Sequence, residues 1–271
     1  MQPSKTRQAG YTAIGVAALA VMLFPVYWMV NASLQPSGGG FSTTVLPFHL
    51  TLDGYRTALS QQSGNILTSL TISLGTVVLS LAIAAPAAYA LAKLRLRGRH
   101  AIRFALLITQ MIPGIVIANS LYPAYNDLGL LNSRLGLIMA DASSAIPFAI
   151  LIIYAFMLSL PADIVEAARV DGAGQFRAFI SVVLPVSRNA IITAALFSFL
   201  FSWSDFLFAL TLTTGTNVQP VTLGIYAYLS NNVVSWGPVM ATGVLSALPA
   251  IIFLLVAQRF IAAGQLGGAI R

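Results

Sequence analysis

The chain has 271 residues, of which 58% are hydrophobic and 8% charged, with no cysteine and a formal net charge of +7. A soluble domain ordinarily carries about 25% charged residues. Seven acids and fourteen bases cannot cover a water-exposed surface of this size, so a soluble enzyme is excluded. The missing cysteines exclude a disulfide framework, a thiolate metal site and a cysteine nucleophile. His49 and His100 are too few and too far apart to form a metal centre.

The chain therefore reads as an all-α, polytopic membrane protein. No Asp, Glu, Lys or Arg occurs from Gln8 to Leu52, Thr57 to Ala92, Phe104 to Asn126 or Phe206 to Gln258. A spanning helix needs about 20 mostly apolar residues. Runs this long are not the alternating ten-residue segments of an outer-membrane barrel. The first predicted span is Tyr11–Ser33; its apolar core is too long for a cleaved signal peptide, so it is read as an uncleaved helix.

The outer segment Leu34–Gly64 opens with the flexible Gln35-Pro36-Ser37-Gly38-Gly39-Gly40 and closes with a short surface helix over Leu52–Leu59. That segment suits either a solvated connector or a docking surface for an external partner. The second span is Asn65–Ala92, followed by the short, simply basic inner turn Lys93–Arg103. The third is Ala101–Ser120. Pro123, Asp127, Gly129 and Asn132 then turn the chain at the outer face before the fourth span, Leu135–Leu158.

The long inner segment 159–188 differs from the other connections. Pro161 suits a helix's first turn, with Asp163 and Glu166 near its positive end. Gly172 and Gly174 break that helix. Phe176, Phe179, Ile180 and Val183 then form the i, i+3, i+4, i+7 stripe of a second, amphipathic helix, closed by Leu184-Pro185. The fifth span is Asn189–Thr211. A third outer segment, Thr213–Trp236, is too short and polar to cross the membrane and reads as a shallow re-entrant or interfacial helix. The sixth span is Pro238–Ile261. Pro86, Pro113, Pro147 and Pro249 are expected to bend their spans.

Orientation follows from the bases. With both termini in the cytoplasm, twelve of the fourteen lie inside and only Arg56 and Arg134 outside, as the positive-inside rule requires. The basic residues flank spans and are not interleaved with exposed aromatics, so no nucleic-acid partner is expected. One permease-like domain over 1–271 is predicted, with core helices at about 65–261.

The inner segment resembles the cytoplasmic signature of binding-protein-dependent ABC transporter permeases: Glu-Ala-Ala, three residues, Gly, nine residues, Ile, one residue, Leu-Pro. Glu166, Ala167, Ala168, Gly172, Leu184 and Pro185 match in register, and Val182 replaces Ile. Met111-Ile112-Pro113, Leu128-Gly129-Leu130-Leu131-Asn132, Trp203-Ser204-Asp205-Phe206 and the C-terminal Gln258-Arg259-Phe260 and Gly264–Arg271 are similar to the maltose-type, carbohydrate-importer branch. Ser204 departs from the usual Asn of that branch.

The resemblance implies a type I ABC importer permease fold. It also implies a complex of this chain with a second homologous permease, two ATPase subunits and an extracytoplasmic solute-binding protein. No Gly-x-x-x-x-Gly-Lys-Ser/Thr loop is present, the only lysines being Lys5 and Lys93, so no P-loop nucleotide site is expected in this chain. ATP and magnesium would belong to the partner ATPases. No catalytic residue, metal ligand or cofactor is assigned to this chain. The segment 166–185 would be the coupling helix, with Glu166 paired to a basic group on an ATPase and Phe176, Phe179 and Ile180 filling its apolar surface.

For the solute, Trp203, Asp205, Asp141, Asn119, Tyr122 and Tyr125 supply the carboxylate, amide and aromatic groups a sugar needs. Intramembrane charges cost about 2.5–3.5 kcal/mol on insertion scales and are functional candidates. The two aspartates could equally pair with helix ends or a sister permease. Two alternatives stand beside the sugar importer: an ion-coupled secondary transporter, which should show internal repeats, and a permease for a glycerol-phosphate-type solute. No repeat is visible, and no paired catalytic Asp motif or His-Asp box supports a membrane enzyme.

Overall fold

A computed structural model describes residues 5–36, 50–215, 217–230 and 235–266. Most of the predicted glycine-rich linker and the last five residues of the C-terminal tail lie outside them. Among the described residues every regular element is helical: α1 (Lys5–Ser33), α2 (Asp53–Lys93), α3 (Arg99–Thr109), α4 (Gly114–Asp127), α5 (Arg134–Ser159), α6 (Ala162–Val170), α7 (Gln175–Ala178), α8 (Leu184–Val186), α9 (Arg188–Trp203), α10 (Leu207–Leu212), α11 (Val221–Ser230) and α12 (Trp236–Leu266). A π-helical turn, Phe179–Val183, joins α7 to α8.

Among the described residues four helices, α1, α2, α5 and α12, are long and apolar enough to cross a bilayer, and the number rises to six if each of two bent pairs is one span. One pair is α3 with α4, bent by 94°. The expected third span is thus broken at Gln110–Pro113, where Pro113 caps α4 and removes a backbone donor. Pro86, Pro147 and Pro249 lie within helices that continue past them. The other pair joins Gln175–Val186 to α9 at 78°.

The short surface helix expected at Leu52–Leu59 is the beginning of α2. Its 41 residues extend about 60 Å at 1.5 Å per residue, twice the hydrocarbon thickness. Asp53 in the first turn and the absence of proline between Thr57 and Asn65 let the helix run on from the outer segment, through Gly64. The fifth span also ends early, at Trp203, and restarts as α10. The segment expected to hold a re-entrant or interfacial helix carries α11, ten residues long.

The chain forms two compact units. Residues 1–63 and 225–248 make the first. In it Ser33 Oγ and Tyr55 OH share a hydrogen bond of 2.7 Å, and Tyr228 OH donates to Gln61 Oε1 at 2.8 Å. Large apolar side chains along α1, Tyr11, Val21 and Met22 among them, are exposed, as suits a surface facing lipid.

Residues 64–224 and 249–271 make the second unit, built on α5 packed along α9. One apolar cluster joins Tyr89 and Leu91 of α2, Ile153 and Met157 of α5, and Phe179 and Val183 of the inner segment. Another joins Ile72 of α2, Tyr125 of α4, Leu137 and Ala140 of α5, and Phe208 and Leu212 of α10. Helices α2 and α5 approach closely at Gly75, where a Cβ would sit 2.5 Å from Ile138 Cδ1.

Ser133 starts α5 by accepting the Gly136 N–H at 2.9 Å. Removing that cap with Ser133→Ala is expected to lower stability by about 1 kcal/mol, measured as thermal unfolding of the detergent-purified protein.

Candidate coupling elbow and intramembrane polar cluster

The inner elbow is fixed by backbone chemistry. Pro161 caps α6, whose first turn carries Asp163. At its other end the Gly172 N–H bonds the Arg169 carbonyl at 3.1 Å, and the Ala173 N–H bonds the Ala168 carbonyl at 3.0 Å. Gly172 has φ 84°. Together these form a Schellman stop, with glycine at the left-handed position that disfavours a side chain. The chain then restarts at Gly174 as α7. Pro185 has no N–H to return to the preceding turn, and the helix accommodates it with the π turn Phe179–Val183. The Ser187 N–H recovers the ladder on the Val183 carbonyl at 2.9 Å.

This geometry divides the predicted apolar stripe. Phe176 and Ile180 are exposed, by 75% and 45%, whereas Phe179 and Val183 are buried. The Phe179 ring lies 5.0 Å from the Tyr89 ring of α2. Phe179 was expected to fill a partner's surface; it packs on this chain's own helices because the π turn rolls it toward α2 and α5. Leu184 is partly buried in the same cluster. Glu166, Ala167, Gly172, Phe176 and Pro185 face outward, with Ala168 half-buried, and Val170 is 87% exposed.

The intramembrane candidates do not form one open site. Asn119 and Tyr122 are exposed on α4. Tyr125, on the same helix, is buried in the cluster that contains Ala140. Trp203 is buried and stacked on Phe199 at 5.4 Å, and Phe199 stacks in turn on Phe253 at 4.7 Å. The indole face expected to receive a sugar is therefore already engaged. Asp205 accepts the Phe208 and Ala209 N–H groups at 3.2 and 3.0 Å, so its carboxylate caps α10, and its carbonyl accepts the Thr222 hydroxyl at 2.7 Å. Asp141 is 5% exposed. Its Oδ2 accepts the Ser202 hydroxyl at 2.5 Å, while Oδ1 has no hydrogen-bond partner among the described residues.

Four further residues hold the frame: Ser202, which the sequence did not single out, Lys93 and Arg103, read there only as bases of the inner turn, and Asn132, read there only as a turn residue. Ser202 ties α9 to Asp141. Lys93 donates to the Leu160 carbonyl at 2.6 Å, and Arg103 donates to Tyr154 OH at 2.9 Å. Asn132 adopts φ 56°. Its Oδ1 accepts the Thr214 and Gly215 N–H groups at 2.8 and 2.7 Å, and its own N–H bonds the Leu212 carbonyl at 3.0 Å. An Asn behind a Gly-containing turn is the one local signal that pointed there.

Residues 77–265 match the family model described as binding-protein-dependent transport system inner membrane component. The chain belongs to that family. This permease is 32% identical over 270 residues to the trehalose transport system permease protein SugB of Mycobacterium tuberculosis, covering 98% of both chains. It is also 32% identical over 256 residues to the diacetylchitobiose uptake system permease protein NgcG of Streptomyces coelicolor, covering 93% of this chain and 85% of that one. In fold it is similar to a chain of a bacterial ABC transporter involved in the import of the acidic polysaccharide alginate, with TM-score 0.79, 24% identity, and coverage of 96% and 99% of the two chains. The permease is thus a multi-pass protein of the bacterial inner membrane, a transport subunit without an ATPase site of its own.

Proposed function

We propose that this permease passes a sugar or oligosaccharide, delivered by an extracytoplasmic solute-binding protein, through an ATP-driven importer. The complex contains this chain, a second homologous permease and two ATPase subunits, which bind the ATP and magnesium. The elbow Glu166–Pro185 seats on one ATPase: Glu166 pairs with a base there, and Phe176, Ile180 and Val170 enter its apolar surface. Phe179, Val183 and Leu184 anchor the elbow to the spans. Closure of the ATPase pair then moves the elbow as a lever and switches the spans between inward-facing and outward-facing states.

The single observation that carries the reading is the elbow's two-sided build, apolar side chains buried beneath it and apolar side chains exposed above it. An uncovered Phe and Val on a cytoplasmic arm call for a partner. The trehalose and diacetylchitobiose systems named for the relatives supply the solute class. The proposed path residues Asn119, Tyr122, Tyr125, Asp141, Trp203 and Asp205 include no base, which favours a neutral solute over a phosphate. Asn119 and Tyr122 are exposed and Asp205 is half-buried, while the buried Tyr125, Asp141 and Trp203 would reach a solute only if the spans rearrange.

Vesicles bearing the assembled complex, loaded with ATP or with an ion gradient alone, test this with radiolabelled trehalose and diacetylchitobiose and the cognate binding protein. Uptake is expected with ATP only, and Glu166→Lys should remove it while the protein still inserts. Robust uptake on the ion gradient alone would overturn the proposal.

A further inference from the structure

The inner turn between α2 and α3 carries five bases, Lys93, Arg95, Arg97, Arg99 and Arg103. Charge on the cytoplasmic side of a membrane would alone explain them, but two of the five have fixed partners. Lys93, the last residue of α2, directs its ammonium at the carbonyl of Leu160, 2.6 Å away and 67 residues along the chain. Leu160 is the C-cap of α5, with ψ 134°, an extended conformation set by the proline that follows it. Its carbonyl is one of those a helix end leaves unmatched. A cation there also faces the negative end of the α5 dipole. Arg103, on α3, grips the same helix six residues earlier. One terminal guanidinium nitrogen donates to Tyr154 OH at 2.9 Å, the guanidinium lies 5.3 Å from the Tyr154 ring centroid, and the second terminal nitrogen meets His100 Nδ1 at 2.6 Å.

Both contacts close on the last turns of α5, and the next residue, Pro161, begins the elbow. The apolar packing at this level, Tyr89 and Leu91 against Met157, Val165 and Phe179, is non-directional and permits sliding. A charge-assisted hydrogen bond to a single carbonyl fixes direction and register. We infer that Lys93 and Arg103 are positioning residues that clamp the cytoplasmic end of α5 to α2 and α3, so that the root of the elbow and the inner turn move as one body. The inference rests on the proposed role of the elbow as a lever. It adds that the lever's stiffness comes from two bases outside the family signature.

The chain has no cysteine, so a pair introduced by Arg99→Cys and Arg169→Cys can be spin-labelled on this subunit alone, in a complex whose other subunits lack reactive cysteines. Both positions are exposed. In the assembled transporter in lipid, the distance distribution between the labels is expected to be narrow and unchanged by ATP with vanadate. Lys93→Met keeps the apolar stem and loses the donor; it should widen that distribution roughly twofold and make it respond to nucleotide, since one charge-assisted hydrogen bond weighs about tenfold or more in a local equilibrium. Lys93→Arg should restore the parent distribution, which a merely packed side chain would not require. If Lys93→Met fails to assemble, Tyr154→Phe, which removes only a hydroxyl, should produce a smaller widening. A Lys93→Met distribution as narrow as the parent's, an unwidened Tyr154→Phe, or a parent distance that shifts with nucleotide would overturn the clamp. Failure of ATPase subunits to co-purify would instead overturn the lever reading, and the nucleotide-free widths would still decide the clamp.

Discussion

Gly172→Val is expected to reduce ATP-driven uptake by roughly tenfold or more while leaving the amount of permease in the membrane unchanged. Gly172 sits at φ 84° with nothing within 4 Å of where a Cβ would project. A substitution there meets no neighbour, and the effect is confined to the backbone. An L-residue in that region costs about 1–2 kcal/mol, and a β-branched one is a conformational outlier. Relief requires the residue to leave the left-handed region, which breaks the Gly172–Arg169 and Ala173–Ala168 hydrogen bonds and re-aims everything from Gly174 to Ser187. The apolar runs that insert into the bilayer are unchanged in sequence, so insertion, followed by immunoblot of washed membranes, is preserved even though Phe179 and Val183 shift in the cluster they share with α2 and α5. Gly172→Asn is the internal control, because asparagine tolerates the left-handed region, and it should retain most of the uptake. Equal transport by the Val and Asn variants would mean that the angle of the elbow does not couple the two halves of the machine.

The ease of reading that elbow from sequence has a physical source. A helix stop at Gly172 and a start at Pro161 are decided within a few residues by φ preference and by the missing proline N–H, and both are visible in the chain itself. The same holds for the fourth span, whose start at Ser133–Arg134 and end near Ser159 lie close to the expected Leu135 and Leu158. What was not legible depended on partners far away. The third span contains no charge from Phe104 to Asn126, so its break at Gln110–Pro113 looked like a bend, although Pro113-Gly114 carried the stop. Asp205 read as a bare intramembrane charge because its function, capping α10, exists only once the fifth span has ended two residues before it. Lys93 and Arg103 read as topology markers because Leu160 and Tyr154 lie 67 and 51 residues away. Even the amphipathic stripe was half right: its period was assigned as 3.6, and the π turn imposed by Pro185 divides Phe176 and Ile180 from Phe179 and Val183.

The polar groups inside the spans divide by the same logic into those already matched and those left over. Asp205 has two backbone donors, and Asn132 has its loop. Asp141 has Ser202 on one oxygen and, among the described residues, no hydrogen-bond partner on the other. A carboxyl group in this position is more informative than a dozen exposed ones, since an unmatched buried polar atom is costly unless another state of the protein uses it.

Ser202→Ala is therefore expected to be the most destabilising single-atom change in the α5–α9 interface. It removes the hydroxyl at 2.5 Å from Asp141 Oδ2 and leaves a carboxyl group that is 5% exposed with no hydrogen-bond partner among the described residues on either oxygen. Leaving a buried polar group unsatisfied costs about 1–3 kcal/mol, and more if it is charged. The double variant Asp141→Leu with Ser202→Ala should recover most of that loss, because replacing both members of a buried polar pair with apolar groups is close to neutral. Asp141→Asn keeps an oxygen for Ser202 and should unfold near the parent temperature. Thermal unfolding of these variants in one detergent, with the Asp141→Leu single variant added, completes a double-mutant cycle that measures the coupling. Non-recovery in the double variant would show that the pair is not what holds α5 to α9. Uptake by Asp141→Asn then separates the two uses of the residue: retained transport makes Asp141 a tie between helices, and lost transport at unchanged stability makes its free oxygen a contact for the solute in the rearranged state.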